Sequence, residues 1–217
     1  IQLSFLGANG LTEIRNAGDA RIRGFELDLL LRLAPGLTWQ TGASYNDAKL
    51  QNDFCQYANP DNDCTIPGPD DRDADTLPEV NSVLAPSGTR LPLTAKLKGN
   101  TRIRYEWDAT PTIRAHVQGV VTYEGSRRRD LRLFENSIYG NMKAYTTVDL
   151  AAGLDTGPWS LDIFAKNLFD KRGQVTKGIQ CVEVVCGDIG GATAIGGKIY
   201  TTVIRPRTIG LRIGRKF

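Results

Sequence analysis

The residues able to do chemistry are few and widely spaced. His116 is the only imidazole in the 217 residues. A general base needs a nucleophile and an orienting group close by, and the local sequence around His116 offers neither a serine nor a carboxylate in such an arrangement, so no catalytic residue is assigned. The four cysteines fall into two close pairs in turn-rich stretches, Cys55 with Cys64 and Cys181 with Cys186. Neither pair has C-x-x-C spacing. With one histidine in the chain, local disulfides formed in an oxidising compartment are the better reading than zinc ligation. The stretch from Gln51 to Arg90 carries Asp53, Asp61, Asp63, Asp70, Asp71, Asp73, Asp75 and Glu79. Its Asp61-Asn62-Asp63 lacks the central glycine and closing glutamate of a calcium loop, so it reads as solvated surface and no metal site is assigned.

A second group carries charge rather than reactivity. Lys96, Lys98, Arg102, Arg104 and Arg114 share the polar parity of neighbouring extended segments. Such a row either attracts an anionic small molecule or is neutralised by carboxylates such as Glu26, Asp28, Glu106 and Glu124; the second is the plainer reading. No stacking aromatics accompany the row, which argues against nucleic acid.

The elements that position these residues follow from the hydrophobic period. From Leu91 to Trp107 the apolar residues fall on every second position, with Leu93, Leu97, Ile103, Tyr105 and Trp107 on one face and the lysines and arginines on the other. A period of two means a strand. The same alternation predicts about eight strands in all, at 1–6, 11–33 with a bend at 16–19, 37–46, 91–107, 113–124, 144–154, 159–165 and 209–217. The segment Glu26-Leu27-Asp28-Leu29-Leu30-Leu31 would suit a helix by propensity, but the alternation runs through it unbroken. Short turns at 34–36, 108–111 and 156–158 alternate with long loops at 51–90, 125–142 and 170–198.

Loops sorted by length onto opposite ends are the mark of an antiparallel up-and-down transmembrane β-barrel, with short turns on the periplasmic side. The mean hydropathy of −0.28 and the lack of any run approaching ~18 apolar residues exclude a spanning helix but are normal for such a barrel. Trp39, Trp107 and Trp159 each lie on apolar parity close to a short turn, where an aromatic girdle is expected. The formal net charge of +3 marks no polyanion-binding protein. The opening Ile-Gln-Leu-Ser-Phe-Leu-Gly carries no methionine or signal peptide, so a processed product or a chain beginning partway through a longer protein is expected.

Three segments then carry a resemblance. Asn16-Ala17-Gly18-Asp19-Ala20-Arg21-Ile22-Arg23-Gly24-Phe25-Glu26, Asn167-Leu168-Phe169-Asp170, and Pro206-Arg207-Thr208-Ile209-Gly210-Leu211 through Phe217 are similar, in order and spacing, to the C-terminal part of TonB-dependent outer-membrane receptors. Arg215 departs from the hydrophobic residue usual there. The resemblance implies an all-β chain forming about eight C-terminal strands of a larger barrel of about 22 strands, with a plug domain not represented in residues 1–217. Closure of these strands alone is disfavoured, since Ile1 to Leu6 would be the only partner of a longer last strand.

It further implies a Gram-negative outer-membrane transport receptor rather than an enzyme, importing a small molecule or metal chelate such as a ferric siderophore. No cofactor is implied. The expected partners are outer-membrane lipid, the plug, the TonB complex and the barrel assembly machinery, the last reading Phe217. In that setting the basic row faces substrate or plug. Two other readings stay open: a complete small structural or adhesive barrel, and a barrel hydrolase using His116.

Overall fold

The computed structural model describes residues 1–6, 12–59, 61–68, 80–179 and 199–216. Along the chain these form β1 (Gln2–Leu6), β2 (Thr12–Asn16), β3 (Ala20–Ala34), β4 (Leu37–Leu50), β5 (Phe54–Cys55), β6 (Val83–Ala85), β7 (Leu97–Thr110), β8 (Ile113–Glu124), α1 (Leu133–Tyr139), β9 (Tyr145–Asp155), β10 (Trp159–Lys166), β11 (Gln174–Ile179), β12 (Ile199–Val203) and β13 (Thr208–Arg215). Phe217 and the pair Cys181 and Cys186 lie outside the described residues, as do Asp70, Asp71, Asp73, Asp75 and Glu79.

Seven strands make one antiparallel sheet in the order β13-β10-β9-β8-β7-β4-β3. The order follows the chain because each short turn can only return a strand to its neighbour. Gly36 and Gly157 sit in two of these turns with φ of +75° and +89°, a conformation that costs glycine nothing. At Gly36 a Cβ would also run into the carbonyl oxygen of Glu106. The edges β3 and β13 do not pair with each other among the described residues, so the sheet is an open arc.

Of the about eight strands expected, seven lie in this sheet and the first, β1, pairs with β2 in a separate hairpin. Three details differ from expectation. The bend expected at 16–19 is where β2 ends and β3 begins, with Gly18 at φ +76°. The strand expected from Leu91 starts only at Leu97: Pro92 has no N–H to give a ladder, and Leu93 takes a left-handed φ of +59° while donating its N–H to the Arg128 carbonyl at 2.9 Å. The loop 125–142 contains the helix α1, the loop 51–90 contains β5 and β6, and the loop 170–198 contains β11, whose partner β12 follows directly after it.

Burial divides the molecule in two. At the end of the sheet that carries the long loops, Ala17, Leu50, Phe54, Ala85 and Leu131 form a buried cluster with Leu3, Leu84 and Leu91 packed around it. The disulfide Cys55–Cys64 ties this cap. Asn81 staples it, accepting the Tyr57 N–H at 2.8 Å and donating to the Tyr57 and Ile66 carbonyls at 3.1 and 2.9 Å. Arg15 of β2 donates to the carbonyls of Cys55 and Gln56 and lies 5.3 Å over the Phe54 ring, joining the two outer hairpins. The sheet itself keeps its large apolar side chains outside: Ile103, Ile163, Leu211 and Ile213 are 51%, 56%, 62% and 64% exposed.

Candidate functional site

The polar face of the sheet is ordered in rows fixed by the register. One row crosses five strands as Glu106, His116, Gly153, Asp162 and Arg212. Glycine in the middle is decisive. A Cβ at 153 would collide with both Asp162 Oδ1 and His116 Cε1, so its absence lets the side chains of β8 and β10 meet above β9. His116 Nε2 stands 3.4 Å from Asp162 Oδ1. A cavity of ≈ 550 Å³ opens over this row, lined by Arg104, Glu106, His116, Asp162, Lys166 and Arg212 among others. Local sequence offered His116 no carboxylate; register supplies one from the next strand but one. Ser160 lines the same cavity, yet among the described residues no hydrogen bond joins it to His116.

The basic residues singled out from sequence are mostly neutralised on the spot. Lys98 pairs with Glu124 at 3.3 Å, Arg104 with Glu106 at 2.6 Å, and Arg114 with Asp108 at 3.4 Å. Lys96, just before β7, reaches Asp47 at 3.9 Å. Glu106 and Glu124 were anticipated as partners; Asp47 and Asp108 were not, since they become neighbours only through the β4–β7 approach and the β7–β8 turn. Arg104 also donates to Gln118 Oε1 at 3.3 Å. Arg102 has no carboxylate partner among the described residues. Its register neighbours are Gln40 on β4 and Val120 on β8.

On the other face the three tryptophans lie at the short-turn end. Trp39 donates from Nε1 to Thr101 Oγ1 at 2.7 Å, and Trp107 stacks on Tyr105 with ring centroids 5.2 Å apart. Arg215, the residue that breaks the apolar parity of β13, lies opposite Trp159 with its guanidinium 5.2 Å above the ring. Its charge is thus placed on an aromatic face at the end of the apolar band.

Beyond the outer end of β10, Asn167 and Asp170 take left-handed φ values of +48° and +49°. Asn167 accepts the Lys171 N–H at 2.8 Å and donates to the carbonyls of Lys171 and Arg205 at 3.0 and 2.9 Å. Asp170 accepts the Arg207 N–H at 2.9 Å and pairs with Arg172 at 3.0 Å. The Arg207 N–H, followed by the Arg172 guanidinium, holds the Asp170 carboxyl below the usual carboxylate range. The tetrapeptide Asn167-Leu168-Phe169-Asp170 is therefore a clamp between β10 and β13.

A model of the TonB-dependent receptor-like β-barrel family matches residues 1–168. The chain belongs to that family. The match includes the segment from Asn16 to Glu26 and stops within the clamp. No curated protein sequence matches the chain. Among solved structures, the ferric yersiniabactin uptake receptor FyuA of Yersinia pestis aligns at TM-score 0.61 and 17% identity, over 94% of this chain and 25% of its own. The siderophore receptor PiuA of Acinetobacter baumannii aligns at 0.61 and 16%, over 94% and 23%. The ferric preacinetobactin receptor BauA of the same species aligns at 0.57 and 14%, over 100% and 26%. At these identities the likeness is one of fold. The chain spans about a quarter of the length of these structures.

TonB-dependent receptors are transport receptors of the Gram-negative outer membrane rather than enzymes, and this sheet is an arc of such a barrel. Its exposed apolar face accordingly meets lipid. In a barrel of this kind a face crossed by ion pairs suits the lumen.

Proposed function

We propose that the chain forms the C-terminal part of the barrel of a receptor that takes up a scarce nutrient, such as a ferric siderophore, in a TonB-dependent manner. The plug domain in this reading comes from residues outside these 217. The observation that carries it is the open sheet with two unlike faces. Backbone groups along β3 and β13 need further strands as partners within a bilayer, and a polar face crossed by ion pairs suits a lumen filled by a second domain. A complete small barrel would require β3 and β13 to pair, whereas they stand at opposite edges.

Within this reading Arg102 is, of the five basic residues singled out from sequence, the one that contacts plug or substrate, because Lys96, Lys98, Arg104 and Arg114 already have carboxylates among the described residues. Trp39, Trp107 and Trp159 form the periplasmic girdle, and Phe217 serves the barrel assembly machinery. The neighbours' siderophore substrates support the substrate class but not one compound.

The test is growth on single iron chelates in cells lacking the receptor, with and without an intact TonB system. One chelate is expected to lose uptake in the receptor-deleted cells and to regain it with the wild-type gene only where the TonB system is intact. Arg102→Ala is expected to lower that uptake more than Lys98→Ala. Uptake of every chelate tested at the wild-type rate in the receptor-deleted cells would overturn the reading.

A further inference from the structure

Two features of the lipid-facing side converge at the outer end of β10 and β13. The first is a furrow. One row of facing residues alternates large and small, as Ile103, Gly119, Leu150, Ala165 and Ile209, so the surface dips at Gly119 and Ala165. The next row, Tyr105, Val117, Ala152, Ile163 and Leu211, dips at Ala152. The dips merge into an almost wholly apolar trough of ≈ 500 Å³. Its outer wall is Ile209, and the trough runs inward from there across β10, β9 and β8.

The second feature is charge. Arg207 continues the lipid-facing parity of β13 two residues beyond Ile209, about 7 Å further out. Lys171, Arg172 and Arg205 are exposed around it, and Phe169 beside them is 74% exposed. Among the described residues Asp170 is the one carboxylate joined to any of these four cations. The clamp formed by Asn167 and Asp170 fixes the backbone that carries them. An apolar trough in a bilayer takes any acyl chain; a fixed excess of cations at its outer mouth selects a lipid with anionic head groups.

We propose that this is a binding site for one molecule of lipopolysaccharide, the anionic lipid of the outer leaflet, with a lipid A phosphate held by Arg172 and Arg207 and one acyl chain lying in the trough. Guanidinium groups suit the head because two N–H donors meet two phosphate oxygens at once. Asp170 orients the pair without cancelling it, being one carboxylate against two arginines. The site faces away from the lumen and does not depend on what the receptor imports.

The intact receptor, extracted from outer membranes and exchanged into micelles, is offered lipid A, dephosphorylated lipid A or phosphatidylethanolamine, and retained lipid is counted by native mass spectrometry. One lipid A per receptor is expected, retained about 10-fold better than either other lipid. The double variant Arg172→Ala with Arg207→Ala, which lies outside the spanning strands, is expected to lose that preference. Gly119→Phe fills the trough and is expected to lower retention of lipid A while leaving the cations in place. Equal retention of the three lipids by the wild type, or undiminished lipid A on the arginine double variant, overturns the proposal. The arginine variant decides the matter alone if Gly119→Phe does not fold.

Discussion

The sheet and the cap use the same kinds of apolar residue in opposite ways. Leu50 and Leu131 in the cap are fully buried, whereas Leu161 and Leu211 in the sheet are 42% and 62% exposed. Both arrangements satisfy the same rule, that apolar surface leaves water, but the sheet does so against lipid and the cap against itself. The cap thus behaves as a small water-soluble unit, with a disulfide and an asparagine staple, mounted on a membrane wall. Stability in the two parts should respond to different substitutions.

The sharpest way to separate them is to remove buried volume from the cap. Leu131→Ala is expected to cost roughly 2–5 kcal/mol, the range for emptying a core site, and to raise hydrogen exchange in β5, β6 and α1 while β7 to β10 stay protected. Uniform loss of protection would mean that cap and sheet unfold as one unit. The converse change puts charge on the lipid face. Ile163→Arg near the middle of β10 is expected to destabilise the folded barrel by about 2–4 kcal/mol, while Thr122→Arg on the polar face of β8 costs close to nothing. Equal effects at 163 and 122 would break the assignment of the two faces.

The smallest effect concerns the clamp at the outer end of β10 and β13. The folded pKa of Asp170 is depressed below its ordinary value of 3.8, so the stabilisation it gives is present above that value and is lost as pH falls through the lower folded value. Exchange of the Arg207 N–H is therefore expected to lose protection at the acid end of that window. Asp170→Asn keeps a side chain that tolerates the left-handed backbone and still accepts a hydrogen bond, and should remove the acid dependence. An unchanged acid profile in Asp170→Asn would place the titrating group elsewhere.

Those differences also explain what could be read from the chain. Strands that meet an apolar medium on one side and a polar one on the other alternate without interruption, and β8, β9, β10 and β13 were legible within two residues for that reason. The cap obeys no such period. Its seven-residue helix is too short to show an apolar stripe and is held by Asn136, which accepts the backbone N–H groups of Arg129 and Asp130 at 3.0 and 3.3 Å. β5 and β6 are two and three residues long and meet across a sequence gap that no local signal bridges. In the lumen, the parity of the basic residues was legible, but their partners were not. Lys98 and Glu124 are directly opposite only because β7 and β8 pair in one register, and Asp162 reaches His116 only across a third strand.

That last contact has a mechanical meaning. Strands in a sheet can slide past one another in steps of two residues without exchanging their faces. A slide of β9 by one such step would bring Ala151 or Asp155 into the slot that Gly153 occupies, and either side chain would wedge apart the imidazole and the carboxylate above it. The smallest residue in the row thus acts as a pawl, holding three strands in step by having nothing there to displace.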